Sequence, residues 1–336
     1  MTRLDWCLAP NLRAEMGLRR KFSFLLSIIL FTATISFTSA LAAEEPTPRI
    51  AVAYDIGFKG DGGFNDAVSA ALEIAKKRYN LVEPFVRELP TSGTALDRIT
   101  KIRFLAKSGY TLIITVGAGY RETVRRVSME YPDTQFAIIN DQNLAQLNIS
   151  NIYFDELQAA RVAGTIAAMR SKSKKVAIVS GSDALNAAFE SGAKGMQVVK
   201  VNFEGDSSKL MTELGQVDVV YSLWDKDAVI FEAVTKRIPR TFYIARNPDQ
   251  YFAKMSSSKR VIAVLEKRLD KPISQLVKLG LENRALIDEV DGARGVFGRI
   301  YGFSNGGYRL NLATGFTSSQ IAALRKSFPK IDLKAQ

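Results

Sequence analysis

Histidine is absent from all 336 residues of the chain. Since histidine is the most common general base and the most common metal ligand in proteins, its absence removes both roles. The single cysteine is Cys7, close to the N-terminus. A zinc site of the usual kind and a Ser-His or Cys-His nucleophile therefore cannot be assembled. We expect a protein that binds a ligand and is not an enzyme, with no cofactor and no metal.

The first 43 residues have the pattern of an export signal. A basic cluster at 19–21 precedes an uncharged apolar stretch at 22–35, and the small residues Ala40 and Ala42 on either side of Leu41 suit signal peptidase. We expect cleavage after Ala42 and an exported, periplasmic mature protein.

Two other interpretations of this segment stay open. The apolar stretch approaches the ~20 residues that span a bilayer, so it could be an uncleaved anchor. Met16 could be the true start codon. No cysteine follows the apolar stretch, which argues against a lipoprotein. A mature chain without cysteine suits an oxidising compartment without disulfides.

The composition is that of a globular protein with an excess of positive charge. Hydrophobic residues make up 47% and charged residues 24% of the chain, and the net charge is +12. The roughly 290 residues after the signal are enough for two lobes with their own cores. The lysines and arginines are scattered over helix faces without interleaved aromatics, so we expect a solvated surface and no nucleic-acid partner.

Short apolar strands alternate with amphipathic helices along the chain. The clearest strand candidates are TLIITV at 111–116, QFAII at 135–139, KVAIVS at 175–180, VDVVYSL at 217–223, TFYIA at 241–245 and RVIAVL at 260–265. This alternation predicts an α/β protein, with parallel sheets covered by helices on both faces. The pattern runs twice, which predicts two lobes.

The segment from Ile50 to Asp66 converts a short apolar strand into a glycine-rich loop and then a helix. Open α/β sheets bind small molecules where a strand ends and a helix begins. Asn65 and Asp66 can cap that helix. The alternative is an ordinary βα turn.

Several motifs along the chain resemble those of one family. They are Asp55-x-Gly57, Phe64-Asn65, Gly109-Tyr110-TLIITVG, Tyr131-Pro132-Asp133-x-x-Phe136, Phe154-x-Glu156 with Gly164 after it, Phe189-x-x-Gly192 and Asp249-Gln250. In this order they resemble the basic membrane protein family of ABC-transporter solute-binding proteins, which includes a purine nucleoside receptor. The resemblance covers roughly residues 49 to 270.

The resemblance implies an α/β fold of the type I periplasmic-binding protein kind, with two Rossmann-like lobes of parallel sheets that close about a hinge. With the signal at 1–43, the expected N-terminal lobe is 44–150, completed by about 245–275. The expected C-terminal lobe is 151–244, completed by about 276–336.

The resemblance also implies a ligand site between the lobes. Asp55, Phe64 and Asn65 would meet a nucleoside base from the first lobe. Phe189 would complete the aromatic stack from the second lobe. Asp249 and Lys267 would hold the ribose.

Each of these residues has a structural alternative. Asp55 could cap the helix or bind loop amides, and Phe64 and Phe189 could be core residues. Lys267 could be a solvated lysine, and Asp249 could only shape the turn at Pro248.

The chain departs from the family pattern at three places. Asn140 and Asn247 stand where the family often has Asp, and Trp224-Asp225 replaces a glycine pair. Trp224 could be a stacking platform or could pack under a loop. These departures concern the identity of the ligand more than the fold.

The implied partners are a nucleoside-like small molecule and the membrane permease and ATPase of an ABC transporter. The alternative is a ligand-sensing module for a membrane signalling partner. A carboxylate-dependent nucleoside hydrolase is the third reading.

Overall fold

The computed structural model describes residues 47–224 and 227–336. The strands in this part are β1 (Ile50–Tyr54), β2 (Val86–Pro90), β3 (Leu112–Val116), β4 (Gln135–Ile139), β5 (Ile149–Phe154), β6 (Lys175–Val179), β7 (Gln197–Val201), β8 (Val219–Ser222), β9 (Phe242–Asn247), β10 (Val261–Lys267), β11 (Asp288–Asp291), β12 (Val296–Tyr301), β13 (Tyr308–Leu312) and β14 (Asp332–Ala335). The predicted export signal at 1–43 lies outside the described residues.

The helices connect these strands on both faces of the sheets. They are α1 (Phe64–Tyr79), α2 (Ala95–Lys107), α3 (Arg121–Glu130), α4 (Glu156–Arg170), α5 (Asp183–Gly192), α6 (Ser207–Leu214), α7 (Val229–Glu232), α8 (Asp270–Leu281) and α9 (Ser318–Ser327). Short 3₁₀ turns occupy Ala118–Tyr120 and Gly292–Arg294, and a π turn follows α7 at Ala233–Arg237. Within the described ranges, no helix has the length and apolar character needed to cross a membrane.

In the described part of the chain, the strands form two sheets of seven strands each. The first has the order β11-β12-β5-β4-β3-β1-β2, and the second has the order β14-β13-β10-β9-β8-β6-β7. The pairs β11–β12 and β10–β13 are antiparallel, and the others are parallel. Both sheets with their helices confirm the predicted α/β, two-lobed fold.

The local sequence explains these elements. β1 and β3 are buried at all positions, as expected for central strands covered on both faces. The first turns of α2, α4 and α5 are capped by the side chains of Thr94, Asp155 and Ser182. The largest apolar core continues from the first sheet to the second through α4.

Helices α4 and α5 cross at two glycines of the family-like motifs. A Cβ at Gly164 would lie 2.1 Å from the Phe189 carbonyl oxygen, and one at Gly192 would lie 2.0 Å from the Arg161 carbonyl oxygen. The two backbones therefore touch, which only glycine permits at both positions.

The described chain passes between the sheets at three places that lie side by side. These are after β5, between β10 and β11, and between β12 and β13. The Asp155 N–H donates to the Tyr301 carbonyl at 2.9 Å, and the Arg268 N–H donates to the Gly307 carbonyl at 2.8 Å. Adjacent, hydrogen-bonded crossings form the hinge between the lobes.

The division of the chain between the lobes differs from the expected one. Residues about 245–275 were expected to complete the first lobe, but β9 and β10 lie in the second sheet. The physical reason is strand pairing, since β9 pairs in parallel with both β8 and β10, whereas β12 pairs in parallel with β5. The strands β11 and β12 complete the first sheet, and β13 and β14 complete the second.

Candidate functional site

Asp55 follows β1 and is bound by an arginine of the same lobe. Arg98, on α2, donates from Nε to Asp55 Oδ1 at 3.0 Å and from Nη2 to Oδ1 and Oδ2 at 2.7 and 2.8 Å. Gly119 leaves the space for this pair, because a Cβ there would lie 2.3 Å from Asp55 Oδ2 and 2.9 Å from Arg98 Nη2. The loop after β1, helix α2 and the 3₁₀ turn after β3 thus converge on one ion pair at the carboxyl edge of the first sheet.

The glycine-rich loop before α1 is held by its own carboxylates. Asp61 accepts from the Gly63 and Asn65 N–H groups at 2.7 and 3.2 Å, so it takes the capping role that was the alternative for Asp55. Asp66 accepts from Gly60 and Gly62 at 2.7 and 2.8 Å.

Asn65 is buried below this loop. Its Nδ2 donates to the Ile56 carbonyl at 3.2 Å. In this arrangement Asn65 fixes the path of the loop.

The same loop contacts the second lobe. A Cβ at Gly62 would lie 3.0 Å from the Tyr251 ring, and one at Gly63 would lie 3.6 Å from the Pro248 carbonyl oxygen. Pro248 and Tyr251 follow β9, in the second sheet. The lobes therefore touch at the carboxyl ends of β1 and β9.

A buried cluster of four charges lies in the second lobe at this boundary. Lys267 Nζ donates to Glu156 Oε1 at 2.8 Å and to Asp249 Oδ1 at 3.1 Å. Arg246 Nη1 lies 3.9 Å from Glu156 Oε1 and 3.9 Å from Asp249 Oδ2. The charges of these two cations and two carboxylates sum to zero.

The pKa values of the central pair move in opposite directions. Burial by itself would lower the pKa of Lys267, but the charges of Asp249 and Glu156 outweigh it and raise that pKa above its ordinary value. Burial by itself would raise the pKa of Asp249, but Lys267 and Arg246 outweigh it and lower that pKa. Both groups are therefore charged at neutral pH.

A small cavity of about 10 Å³ adjoins the cluster. That volume suits one water molecule. Its lining residues come from α4 and from strand ends of the second sheet: Glu156, Ala159, Tyr221, Arg246, Asp249, Leu265, Lys267 and Tyr308. Asp249 Oδ2 is buried and lies 3.1 Å from Lys267 Nζ in the ion pair, but it accepts no well-aligned hydrogen bond from any described residue.

Two aromatic rings of the first lobe face Lys267. The ring centroids of Phe64 and Phe154 lie 5.9 and 5.8 Å from Lys267 Nζ, within the range of cation–π attraction. Phe64 opens α1 and Phe154 ends β5. The structure thus brings together three predicted site residues, Phe64, Asp249 and Lys267.

Phe189 is placed in the core instead of beside Phe64. Its side chain is fully buried, and its ring stacks on Tyr221 at 5.8 Å with an interplanar angle of 4°. Since Tyr221 lines the cavity, Phe189 lies one layer behind it. This is the core alternative considered from the sequence.

Several residues of the site were not singled out in the sequence. Glu156 stood in a family-like motif, and that motif was its only signal. Arg246 and Arg98 had no signal in the sequence, because their roles depend on strands and helices far apart in sequence.

Trp224 packs edge-to-face on Phe203 at 5.1 Å, which favours its packing role. Among residues 47–224 and 227–336, no group of three or more Asp, Glu, Cys or His side chains is arranged to hold a metal ion.

Comparison with known proteins identifies the family. Residues 48–271 match the Bmp family, described as ABC transporter substrate-binding protein PnrA-like. The chain belongs to this family. It is 27% identical over 180 residues to basic membrane protein A1 of Borrelia garinii subsp. bavariensis, covering 51% of this chain and 52% of the relative. It is 25% identical to the ABC transporter nucleoside-binding protein BmpA of Lactococcus lactis subsp. cremoris, covering 47% and 46%.

A third relative is an uncharacterized lipoprotein of Pyrococcus abyssi, 28% identical over 46% of this chain and 37% of the relative. The chain thus spans about half the length, or less, of these curated relatives. Among solved structures, an ABC transporter solute-binding protein of Aeropyrum pernix K1 superposes with a TM-score of 0.58 at 21% identity, covering 83% and 85% of the two chains. That likeness confirms the fold.

The relatives overturn one expectation. The missing cysteine after the apolar stretch was taken to argue against a lipoprotein, yet relatives from Pyrococcus abyssi, Pyrococcus furiosus and Pyrococcus horikoshii are named lipoproteins. The expectation that a lipoprotein is unlikely is therefore wrong. That expectation rested on a single feature, the absence of a cysteine after the apolar stretch, and the apolar stretch lies outside the described residues.

Proposed function

We propose that the protein binds a nucleoside-like ligand between its lobes and delivers it to the membrane permease and ATPase of an ABC transporter. One observation carries this proposal: the Phe64 ring of the first lobe faces the Lys267–Asp249 ion pair of the second lobe. An aromatic face suits a base, and a carboxylate paired with an ammonium suits ribose hydroxyls. The name of the Lactococcus relative supports the same ligand class.

Ligand entry requires the lobes to separate. A cavity of about 10 Å³ cannot hold a nucleoside. Opening at the hinge would lift the glycine-rich loop from Tyr251 and move Phe64 away from Lys267. Closure on a ligand would then place the base against Phe64, and Asp249 Oδ2 could accept a hydrogen bond from a hydroxyl while it stays in its ion pair with Lys267.

Asp55 would meet the base together with Arg98. The guanidinium already donates to both carboxylate oxygens of Asp55. A ligand at this edge therefore encounters an acceptor and a donor side by side.

The family description favours transport over the sensing alternative, because it is one of ABC transporter substrate-binding proteins. We also propose that binding is stoichiometric, without turnover. The carboxylates of Asp55, Glu156 and Asp249 are paired with cations, so none of these three is a free general base.

A thermal-shift screen against nucleosides, bases, sugars and amino acids tests the proposal. A ligand that binds the folded state raises the melting temperature according to its concentration and Kd. A shift with nucleosides and none with sugars or amino acids supports the proposed class. A shift confined to sugars or amino acids contradicts it.

A further inference from the structure

Exposed lysines and arginines gather where the parallel strands of the second sheet begin. We call this set the basic edge. It comes from the first residue of β6 and the segments before β6, β9 and β10, and consists of Lys172, Lys174, Lys175, Lys236, Arg237, Arg240 and Lys259, all exposed. These residues come from three separate stretches of the sequence, so only the fold brings them together.

Backbone hydrogen bonds hold these segments side by side. The Asp218 N–H donates to the Lys175 carbonyl at 3.2 Å, and the Phe242 N–H donates to the Asp218 carbonyl at 2.9 Å. The Tyr243 N–H donates to the Arg260 carbonyl at 2.8 Å. Neighbouring strands are about 4.8 Å apart, so the starts of β6 and β10 are separated by only about 14 Å.

Little negative charge offsets the basic edge. The carboxylate of Asp218 accepts from the backbone N–H groups of Lys172 and Ser173 at 2.6 and 2.8 Å and keeps its negative charge, so it offsets one of the seven cations. Glu232 pairs with Lys236 at 2.8 Å. The other six cations of the basic edge form no ion pair with any described residue.

We propose that the basic edge adsorbs to an anionic phospholipid bilayer. Lipid headgroups require only several cations spread over one surface. Single-stranded nucleic acid would require exposed aromatic platforms, and duplex DNA would require an element that enters a groove. The basic edge is made of strand starts, and none of the large exposed hydrophobic side chains of the described residues lies in its segments.

This surface is separate from the ligand site. Lys259 precedes β10 and Lys267 ends it, so the two sites lie at opposite ends of the same strand. A strand of seven residues spans about 20 Å. Lipid adsorption can therefore be tested without disturbing the lobe boundary.

The test compares two triple variants of the full chain. Lys175→Gln, Arg237→Gln and Lys259→Gln remove three charges from the basic edge. Lys77→Gln, Lys107→Gln and Lys209→Gln remove three exposed charges elsewhere. The partition coefficient is measured by co-sedimentation with vesicles of phosphatidylcholine alone and with about 30% phosphatidylglycerol, at about 0.1 M salt.

We expect the basic-edge variant to lose about 100-fold of its partitioning into the anionic vesicles, while the control loses less than about threefold. Residues 1–46 are the same in all three proteins, so any contribution from them cancels.

Equal losses in both variants, or equal partitioning of the parent into neutral and anionic vesicles, would overturn the proposal. So would tighter binding to duplex DNA at the same salt, with loss in the same variant. Unchanged circular dichroism shows that both variants are folded.

Discussion

Glu156 and Asp249 hold the ammonium of Lys267 from two sides, with Nζ–O distances of 2.8 and 3.1 Å. Glu156 begins the first helix of the second lobe, and Asp249 follows β9. The Lys267 side chain is only 2% exposed, so the pairing is shielded from solvent. These three residues connect the hinge to the lobe boundary.

Lys267→Met is expected to lower the free energy of unfolding by about 3–5 kcal/mol, because it leaves buried Asp249 without its main partner. Urea unfolding measures this loss. Lys271→Met, at an exposed position four residues later, is the control. A loss within about 1 kcal/mol of the control would contradict the role of Lys267 as a buried partner.

The lowered pKa of Asp249 predicts an acid-dependent loss of stability. Its folded pKa lies below the unfolded value of about 3.9, so its stabilisation is present above that value and disappears as the pH falls through the folded pKa. Asp249→Asn should therefore flatten the dependence of the unfolding free energy on pH between about pH 5 and about pH 3. Asp133→Asn, at an exposed position, is the matched control. Equal slopes in all three proteins would contradict this prediction.

The sequence predicted the βα alternation well because buried central strands such as β3 are short apolar runs. It missed β7 and the helix α6 that follows it. The strand β7, with the sequence QVVKV, is half exposed and lies at the edge of the second sheet. The resemblance led us to expect about 245–275 in the first lobe, whereas β10 and the end of β9 lie in the second sheet. Strand order depends on pairings between distant segments, such as β12 with β5, that periodicity does not reveal.

For the same reason, the sequence indicated only in part which of the candidate site residues lie together. Asp249 and Lys267 are at strand ends of one sheet, so the resemblance was enough to place them together. Arg98 is 43 residues from Asp55 and meets it only because α2 begins at the sheet edge where β1 ends. The position of Phe189 along its helix is compatible with a core residue and with a ligand contact. Only the way in which α4 and α5 cross shows that the ring lies in the core.

Gly119→Ala is expected to disrupt the pair of Asp55 and Arg98. The added Cβ would lie 2.3 Å from the Asp55 carboxylate, so one side chain must move and charge-assisted hydrogen bonds are lost. We expect a destabilisation of about 1–3 kcal/mol, measured by urea unfolding. The control is the double variant with both Gly119→Ala and Arg98→Ala. If its destabilisation equals the sum of those of the two single variants, the added Cβ does not act through the ion pair.

Phe189→Leu is expected to affect stability and leave ligand affinity nearly unchanged. The ring is fully buried against Tyr221, so its replacement leaves a poorly filled space costing about 1–3 kcal/mol. Thermal unfolding measures the stability, and calorimetry measures the affinity for the ligand found by the screen. A large loss of affinity with little loss of stability would place Phe189 in the ligand site after all.

Phe64→Ala is expected to have the opposite profile. Phe64 is half-buried at the lobe boundary, and its ring faces Lys267. Removing the ring takes away one stack on the ligand, worth about 1–3 kcal/mol, so Kd should rise about 5- to 150-fold. The control is Phe104→Ala on α2, where the ring is 50% exposed. Calorimetry gives both affinities, and circular dichroism confirms folding. If Phe64→Ala binds as tightly as the Phe104→Ala control, the ring does not stack on the ligand. The proposal that the lobes close on an aromatic base then loses the observation that carries it.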